Sequence, residues 1–145
     1  MQTYNGAVDD WYVIGVTLGL GLAAGVLFAG ILAGLSFGWV TSTLGALGVG
    51  LVAGLLVHDW TGAGGGVVGA LVGTFSTAVV VRGALRSGAT IGGTAVILSG
   101  AAVGIALLAL IPVAGYVLAV ALPVIAVRRA RNEPKRYAGL RTLAK

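Results

Sequence analysis

Apolar residues fill five long runs of the chain, and short polar, aromatic or charged stretches separate these runs. The runs cover residues 11–35, 39–57, 63–85, 90–110 and 111–127. A helix needs roughly 17 to 25 mostly apolar residues to cross the hydrocarbon core of a bilayer. The pattern therefore predicts an all-α fold, a polytopic bundle of five transmembrane helices.

The break near residues 111–115 is the weakest, so four spans with one kinked helix over 91–127 is the alternative. As a single helix, 91–127 would extend about 55 Å at 1.5 Å per residue, nearly twice the roughly 30 Å thickness of the bilayer core. Pro112 and Gly115 are typical of a tight turn. Both features favour five spans over four.

Composition agrees with a membrane protein. Of the 145 residues, 58% are hydrophobic and only 9% are charged, whereas a soluble domain carries roughly a quarter charged residues. The chain has no cysteine, which excludes disulfides and thiolate chemistry. His58 and Asp59 share one break, but two residues fall short of a metal site. We expect no catalytic, cofactor-binding or metal site, and a protein that is not an enzyme.

The charged residues are segregated along the chain. Basic residues occur around the third break, at Arg82 about one turn before the end of the third run and at Arg86 in the break itself. The others lie in a C-terminal tail, which contains Arg128, Arg129, Arg131, Lys135, Arg136, Arg141 and Lys145. Three of the four acidic residues, Asp9, Asp10 and Asp59, lie in other breaks. Cytoplasmic loops are enriched in Lys and Arg, and only an odd number of spans puts both basic groups on that side.

This distribution predicts a multi-pass protein of the cell (inner) membrane with its N-terminus outside and its C-terminus in the cytoplasm. The domain layout is then a transmembrane unit, 1–127, followed by a basic cytoplasmic tail, 128–145. The formal net charge is +5, but the basic residues do not spread over one face, so we expect no nucleic-acid partner. Anionic lipid or a cytoplasmic partner is the predicted contact of Arg128, Arg129, Arg131, Lys135 and Arg136.

The glycines, 26 in number, recur four residues apart on one face of the first four predicted spans. These pairs and triplets are Gly15/Gly19, Gly30/Gly34, Gly50/Gly54, Gly65/Gly69/Gly73 and Gly100/Gly104. Association in lipid relies on van der Waals contact, which small residues increase by letting backbones approach. The spacing therefore predicts helix packing through these glycines, within one chain or between copies.

The glycines also indicate a possible internal repeat. A shift of 50 residues places Gly15 and Gly19 on Gly65 and Gly69, and a shift of 49 places the Asp-Trp pair at residues 10–11 on that at 59–60. Spans one and two would then repeat as spans three and four in the same orientation, with the fifth added. Chance coincidence in a glycine-rich chain is the competing explanation.

Hydroxyl residues occur inside the predicted third span, at Thr74, Ser76 and Thr77. They can bond a preceding carbonyl or a neighbouring helix, or line a narrow polar path. We therefore expect a non-enzymatic structural or accessory subunit that forms homo-oligomers or packs against a larger membrane complex through its glycine faces. The alternative is a passive channel or carrier for a small solute along the hydroxyls.

Overall fold

The computed structural model describes residues 3–35 and 37–137, with side chains from residue 10 to residue 131. It is an all-α bundle, as predicted, and five of its helices are long and apolar enough to cross a membrane. These helices are α1 (Thr3–Ile31), α2 (Gly38–Val57), α3 (Trp60–Arg86), α4 (Ile91–Ala109) and α5 (Pro112–Tyr137). Apolar segments of this length form helices in lipid because a helix satisfies its backbone hydrogen bonds internally.

The weakest break of the sequence, near residues 111–115, forms a turn between two helices. The prediction of five spans is therefore confirmed over the alternative of four. α4 ends at Ala109, and Pro112 is the first residue of α5, where its fixed φ suits a helix and its missing N–H costs no hydrogen bond. Gly115 lies inside α5 and is buried. Its role is therefore packing, and the turn forms without it.

The turn between α3 and α4 shows why its sequence ends a helix. Gly88 has a φ of +88°, and the Ala89 N–H donates to the Ala84 carbonyl at 3.1 Å, as expected where a glycine closes a helix C-terminus. Thr90 then caps α4, since its side-chain oxygen accepts from the Gly93 N–H at 3.2 Å. This brings Arg86 at the end of α3 close to the start of α4.

α1 and α3 form the centre of the bundle. Within the most apolar window of each helix, 67% of α1 and 50% of α3 is buried, against 22% for α2 and 11% each for α4 and α5. The apolar core is built around Leu22 and Val26 of α1 together with Ile105 of α4. The outer faces of α2, α4 and α5 carry large exposed apolar side chains, as expected for surfaces that face lipid chains.

Close contacts fix the direction of each helix. α1 and α3 run parallel, because Leu18 lies against Gly69 and Leu22 against Gly73. α2 runs antiparallel to α3, and α4 antiparallel to α1. Every second turn of the chain therefore lies at the same end of the bundle.

We call the two ends of the bundle by their charges. The acidic end holds the start of α1 and the α2–α3 turn, with Asp10, His58 and Asp59. The basic end holds the ends of α3 and α5, with Arg82, Arg86, Arg128, Arg129 and Arg131. All eight of these side chains are exposed.

The packing bears on the predicted duplication in two ways. The register of α1 on α3 is a shift of 51 residues (73 − 22), close to the shift of 50 in the sequence, and α2 packs on α3 as α4 packs on α1. In contrast, α1 packs along α2 while α3 hardly touches α4. The duplication stays a prediction.

Candidate functional site

Glycine lets the central helices α1 and α3 touch backbone to backbone. A Cβ atom added at Gly73 would lie 2.5 Å from the Leu22 carbonyl oxygen, and Cβ atoms at Gly65 and Gly69 would collide with Thr17 and Leu18. Because helix backbones are rigid, larger residues here would push α1 and α3 apart.

The glycines of the predicted packing faces of the first span meet two helices, α4 and α5. A Cβ at Gly15 would lie 2.6 Å from the Pro112 carbonyl oxygen, and one at Gly19 would collide with Ala109. At Gly30 and Gly34 the nearest atoms belong to side chains of α4, at 2.7 and 3.0 Å.

On α2 the same spacing also faces a backbone. A Cβ at Gly50 would lie 2.5 Å from the Gly66 carbonyl oxygen, and one at Gly54 would collide with Gly62. α2 therefore approaches α3 through glycine on both sides of the contact.

Gly100 and Gly104 differ from the other predicted glycines. A Cβ at either position meets no atom of the described chain within 4 Å. Both lie on the side of α4 that is opposite its buried residues Ala102, Ile105 and Ala109. The structure therefore brings nine of the eleven glycines into contact with a neighbouring helix or turn and leaves these two facing outward.

Thr74, Ser76 and Thr77 are all buried, with relative exposures of 3%, 3% and 4%. Within the described residues, the Thr74 Oγ1 and the Ser76 Oγ have no hydrogen-bond partner. By contrast, the buried Thr17 hydroxyl donates to the Val13 carbonyl at 2.9 Å. A buried hydroxyl without an acceptor is costly. In the part of the chain whose side chains are described, Thr74 and Ser76 are the two buried positions with an unsatisfied polar group.

A half-open cleft of about 230 Å³ lies at the basic end. It is bounded by the end of α1 with the 3-10 helix Leu32–Gly34 that follows it, by the first turns of α2 and by the last turns of α3. Its polar lining residues include Ser42, Thr74 and Arg82, and the rest of the wall is mainly alanine, leucine and valine. Along α3, Thr74, Ala78 and Arg82 follow each other at helical spacing, so they share one face. The cleft is therefore apolar along its length and polar at two levels.

Ser42 ties two walls of this cleft together. Its hydroxyl lies 3.0 Å from the Phe28 carbonyl oxygen of α1 and also contacts the Gly38 carbonyl of its own helix. Ser42 is buried, with 1% exposure. The sequence does not distinguish Ser42 from its neighbours Thr41 and Thr43, whose hydroxyls bond carbonyls of α2 or of Phe37, the residue before it.

At the acidic end, an aromatic contact joins α1 to α5. The Tyr116 hydroxyl donates to the Trp11 carbonyl at 2.8 Å, and the two rings stack with centroids 6.2 Å apart. Nearby, His58 Nε2 lies 3.9 Å from Asp10 Oδ1, with both side chains about half exposed. No group of three or more His, Cys, Asp or Glu side chains that could hold a metal occurs among the described residues.

The predicted lipid-contact residues Arg128, Arg129 and Arg131 are exposed on α5, which continues past residue 127 without a break. Lys135 and Arg136 belong to the last turns of α5, outside the part of the chain whose side chains the structure describes. The described arginines therefore project from a continuous helix at the basic end.

The fold defines a class: five apolar helices that pack closely, with charges at the two ends, form a polytopic helical membrane protein. Comparison of the chain with protein-family models, with curated proteins and with solved structures finds no match.

Proposed function

We propose that the protein is a non-enzymatic structural or accessory subunit of the membrane, and that two copies associate through the outward face of α4. The observation that supports this most directly is the open space in front of Gly100 and Gly104. Glycines of the same spacing on α1, α2 and α3 each face a neighbouring helix or turn. Small residues promote helix association in lipid because they increase van der Waals contact.

The residues around these glycines favour a second copy of the chain as the occupant. Val96 and Ile97, each 73% exposed, and Leu107, 65% exposed, flank the glycines on the same face. The face therefore offers both a groove and the ridges that fill one. Such a surface is self-complementary when two copies meet about a two-fold axis.

Cysteine cross-linking tests this association without background, because the chain has no cysteine of its own. Ile97→Cys places a thiol beside the glycines, and Ile125→Cys provides the matched control, since Ile125 is exposed at a similar depth on α5. We expect oxidation in native membranes to give a disulfide-linked dimer of the Ile97→Cys variant. Adding Gly104→Leu should abolish this dimer. Equal cross-linking of Ile125→Cys, or a dimer that survives Gly104→Leu, would reject the proposed interface.

The second candidate function is a passive path for a small solute. The observation in its favour is the pair of buried, unpartnered hydroxyls of Thr74 and Ser76. Glycerol or urea uptake by proteoliposomes, followed by light scattering, separates the two candidates. Uptake above that of empty vesicles that Thr74→Leu abolishes would support the path. Uptake equal to that of empty vesicles would reject the solute path and favour the structural or accessory subunit.

We also infer that the basic end faces the cytoplasm. Five described arginines lie at this end and none at the other, and positively charged residues are retained on the cytoplasmic side. The start of α1 then lies on the outer side of the cell membrane.

A further inference from the structure

The cleft at the basic end has one charged level and one apolar level, an arrangement that matches an amphiphilic ligand. Arg82 lies eight positions after Thr74 on α3, which at 1.5 Å per residue separates the two levels by about 12 Å. Between them the wall includes Ala78 and Val81, with Leu32 contributed from the short 3-10 helix, Leu32–Gly34, that follows α1. One charged group near the end of the span thus lies above an apolar wall and a deeper hydroxyl.

The charged level favours a phosphate. Among the residues whose side chains are described, Arg82 lines the cleft and no carboxylate does. A guanidinium offers five donors in a fork that matches phosphate oxygens. Gly38 and Trp39 bring the N-terminus of the 20-residue helix α2 to the same cleft, and the positive end of its dipole favours an anion. A cationic headgroup would find no acidic partner in this wall.

The deeper level favours a lipid over a free anion. Thr74 is 3% exposed and lines the cleft, and the described residues give its hydroxyl no acceptor. The Thr74 oxygen itself is closed off from solvent, so the surface that selects the ligand is the apolar wall of Leu32, Ala78 and Val81. A free phosphate would leave this wall unused.

The size of the cleft limits what it encloses. Its 230 Å³ corresponds to about eight water molecules at roughly 30 Å³ each. This is room for part of one lipid near its glycerol, while the acyl chains remain in the surrounding bilayer through the open side.

We propose that this cleft binds one anionic glycerophospholipid, with the lipid phosphate on the Arg82 guanidinium and the glycerol and first acyl carbons against the apolar wall of Leu32, Ala78 and Val81. The site is distinct from the described arginines of α5, Arg128, Arg129 and Arg131, because none of these three lines the cleft. It is also independent of the outward face of α4.

Lipid binding to the purified full chain in a non-ionic detergent tests the proposal. Phosphatidylglycerol and phosphatidylcholine with the same acyl chains are titrated and the bound fraction is measured by native mass spectrometry. We expect phosphatidylglycerol to bind more tightly, by about fivefold or more. Inorganic phosphate and glycerol 3-phosphate, added at millimolar concentration as competitors, should not displace it.

Matched variants locate the binding. Arg82→Gln should weaken phosphatidylglycerol binding on the order of twentyfold, through loss of a charge-assisted hydrogen bond, whereas Arg86→Gln, one turn away and outside the cleft, should weaken it by no more than about fivefold. Thr74→Val and Ser76→Ala, which remove buried hydroxyls that a lipid in the cleft does not reach, should each weaken it by less than about twofold. Arg82→Lys, which keeps the charge and loses the fork, replaces Arg82→Gln if that variant does not fold, and should fall between it and the wild type.

Three results would overturn the proposal. Equal losses in Arg82→Gln and Arg86→Gln would indicate general attraction to the basic end. Equal binding of phosphatidylglycerol and phosphatidylcholine would show that the site does not recognise the negative charge of the headgroup. Displacement of phosphatidylglycerol by inorganic phosphate would show a simple anion site that does not select lipid.

Discussion

Leu22 of α1 and Gly73 of α3 lie so close that a Cβ atom on Gly73 would be 2.5 Å from the Leu22 carbonyl oxygen. Leu22 itself is fully buried. The contact sits in the middle of the two central helices, and the same close approach recurs one turn earlier between Leu18 and Gly69. The bundle is therefore held at its centre by backbone contact that only glycine permits.

Replacing Gly73 with alanine tests this contact. We expect Gly73→Ala to lower the free energy of unfolding by about 2 kcal/mol, because the added methyl group meets backbone that cannot move away without separating α1 from α3. Thermal unfolding in mild detergent, followed by circular dichroism, measures the change. Gly48→Ala is the control, since a Cβ there meets nothing within 4 Å in the described chain and should be neutral or slightly stabilising. Equal stability of the two variants would contradict a close central contact.

Removing the unpartnered hydroxyls should stabilise the protein in lipid-free detergent. Thr74→Val preserves the shape of the side chain and removes a buried group that lacks an acceptor, so we expect a gain of about 1 kcal/mol. Thr17→Val is the matched control, because its hydroxyl does have an acceptor, the Val13 carbonyl, and its loss should cost about 0.5 to 1 kcal/mol. Thermal unfolding in lipid-free detergent, followed by circular dichroism, measures the stability of both variants. Loss of stability in both variants would show that the Thr74 hydroxyl is bonded.

The hydroxyl of Tyr116 should contribute to docking of α5 on α1. Tyr116→Phe keeps the ring beside Trp11 and removes the hydrogen bond to the Trp11 carbonyl, so we expect a loss of about 1 kcal/mol. Tyr12→Phe, at an exposed position, serves as the control and should change stability little. If the two variants were equally stable, the hydrogen bond would contribute nothing to the packing of α5.

The number and placement of the helices could be predicted from the sequence because apolar length is a strong signal in membranes. α2 and α4 match the predicted runs within one residue at each end. α1 ends at Ile31, four residues before the end of the predicted run, because the chain continues as a 3-10 helix over Leu32–Gly34. The differing ends of α3 and α5 are polar. α3 begins at Trp60, inside the predicted break of residues 58–62, and α5 continues to Tyr137 through the predicted tail. Polar residues can extend a helix beyond the hydrocarbon, and hydropathy does not show where they stop.

The partners of each helix could not be predicted in the same way. Gly50/Gly54 and Gly100/Gly104 have the same spacing, yet the first pair faces α3 and the second faces outward. Spacing identifies a face suited to close packing and does not say which helix covers it, since buried and lipid-facing side chains are both apolar. For the cleft, Thr74 was a candidate from the sequence, whereas Ser42 and Arg82 join it only through the approach of α1, α2 and α3.

Membrane topology tests the central claim, five crossings with the basic end in the cytoplasm, most directly. Single cysteines at His58 or Ile111 probe the acidic end, and those at Ser87 or Arg131 probe the basic end, in a chain without other cysteines. With a membrane-impermeant maleimide, we predict labelling of His58→Cys and Ile111→Cys in intact spheroplasts, and of Ser87→Cys and Arg131→Cys only after permeabilisation. Labelling of Ser87→Cys and Arg131→Cys from opposite sides, or of Ile111→Cys only from the side of Ser87→Cys, would contradict the five-helix arrangement in the membrane.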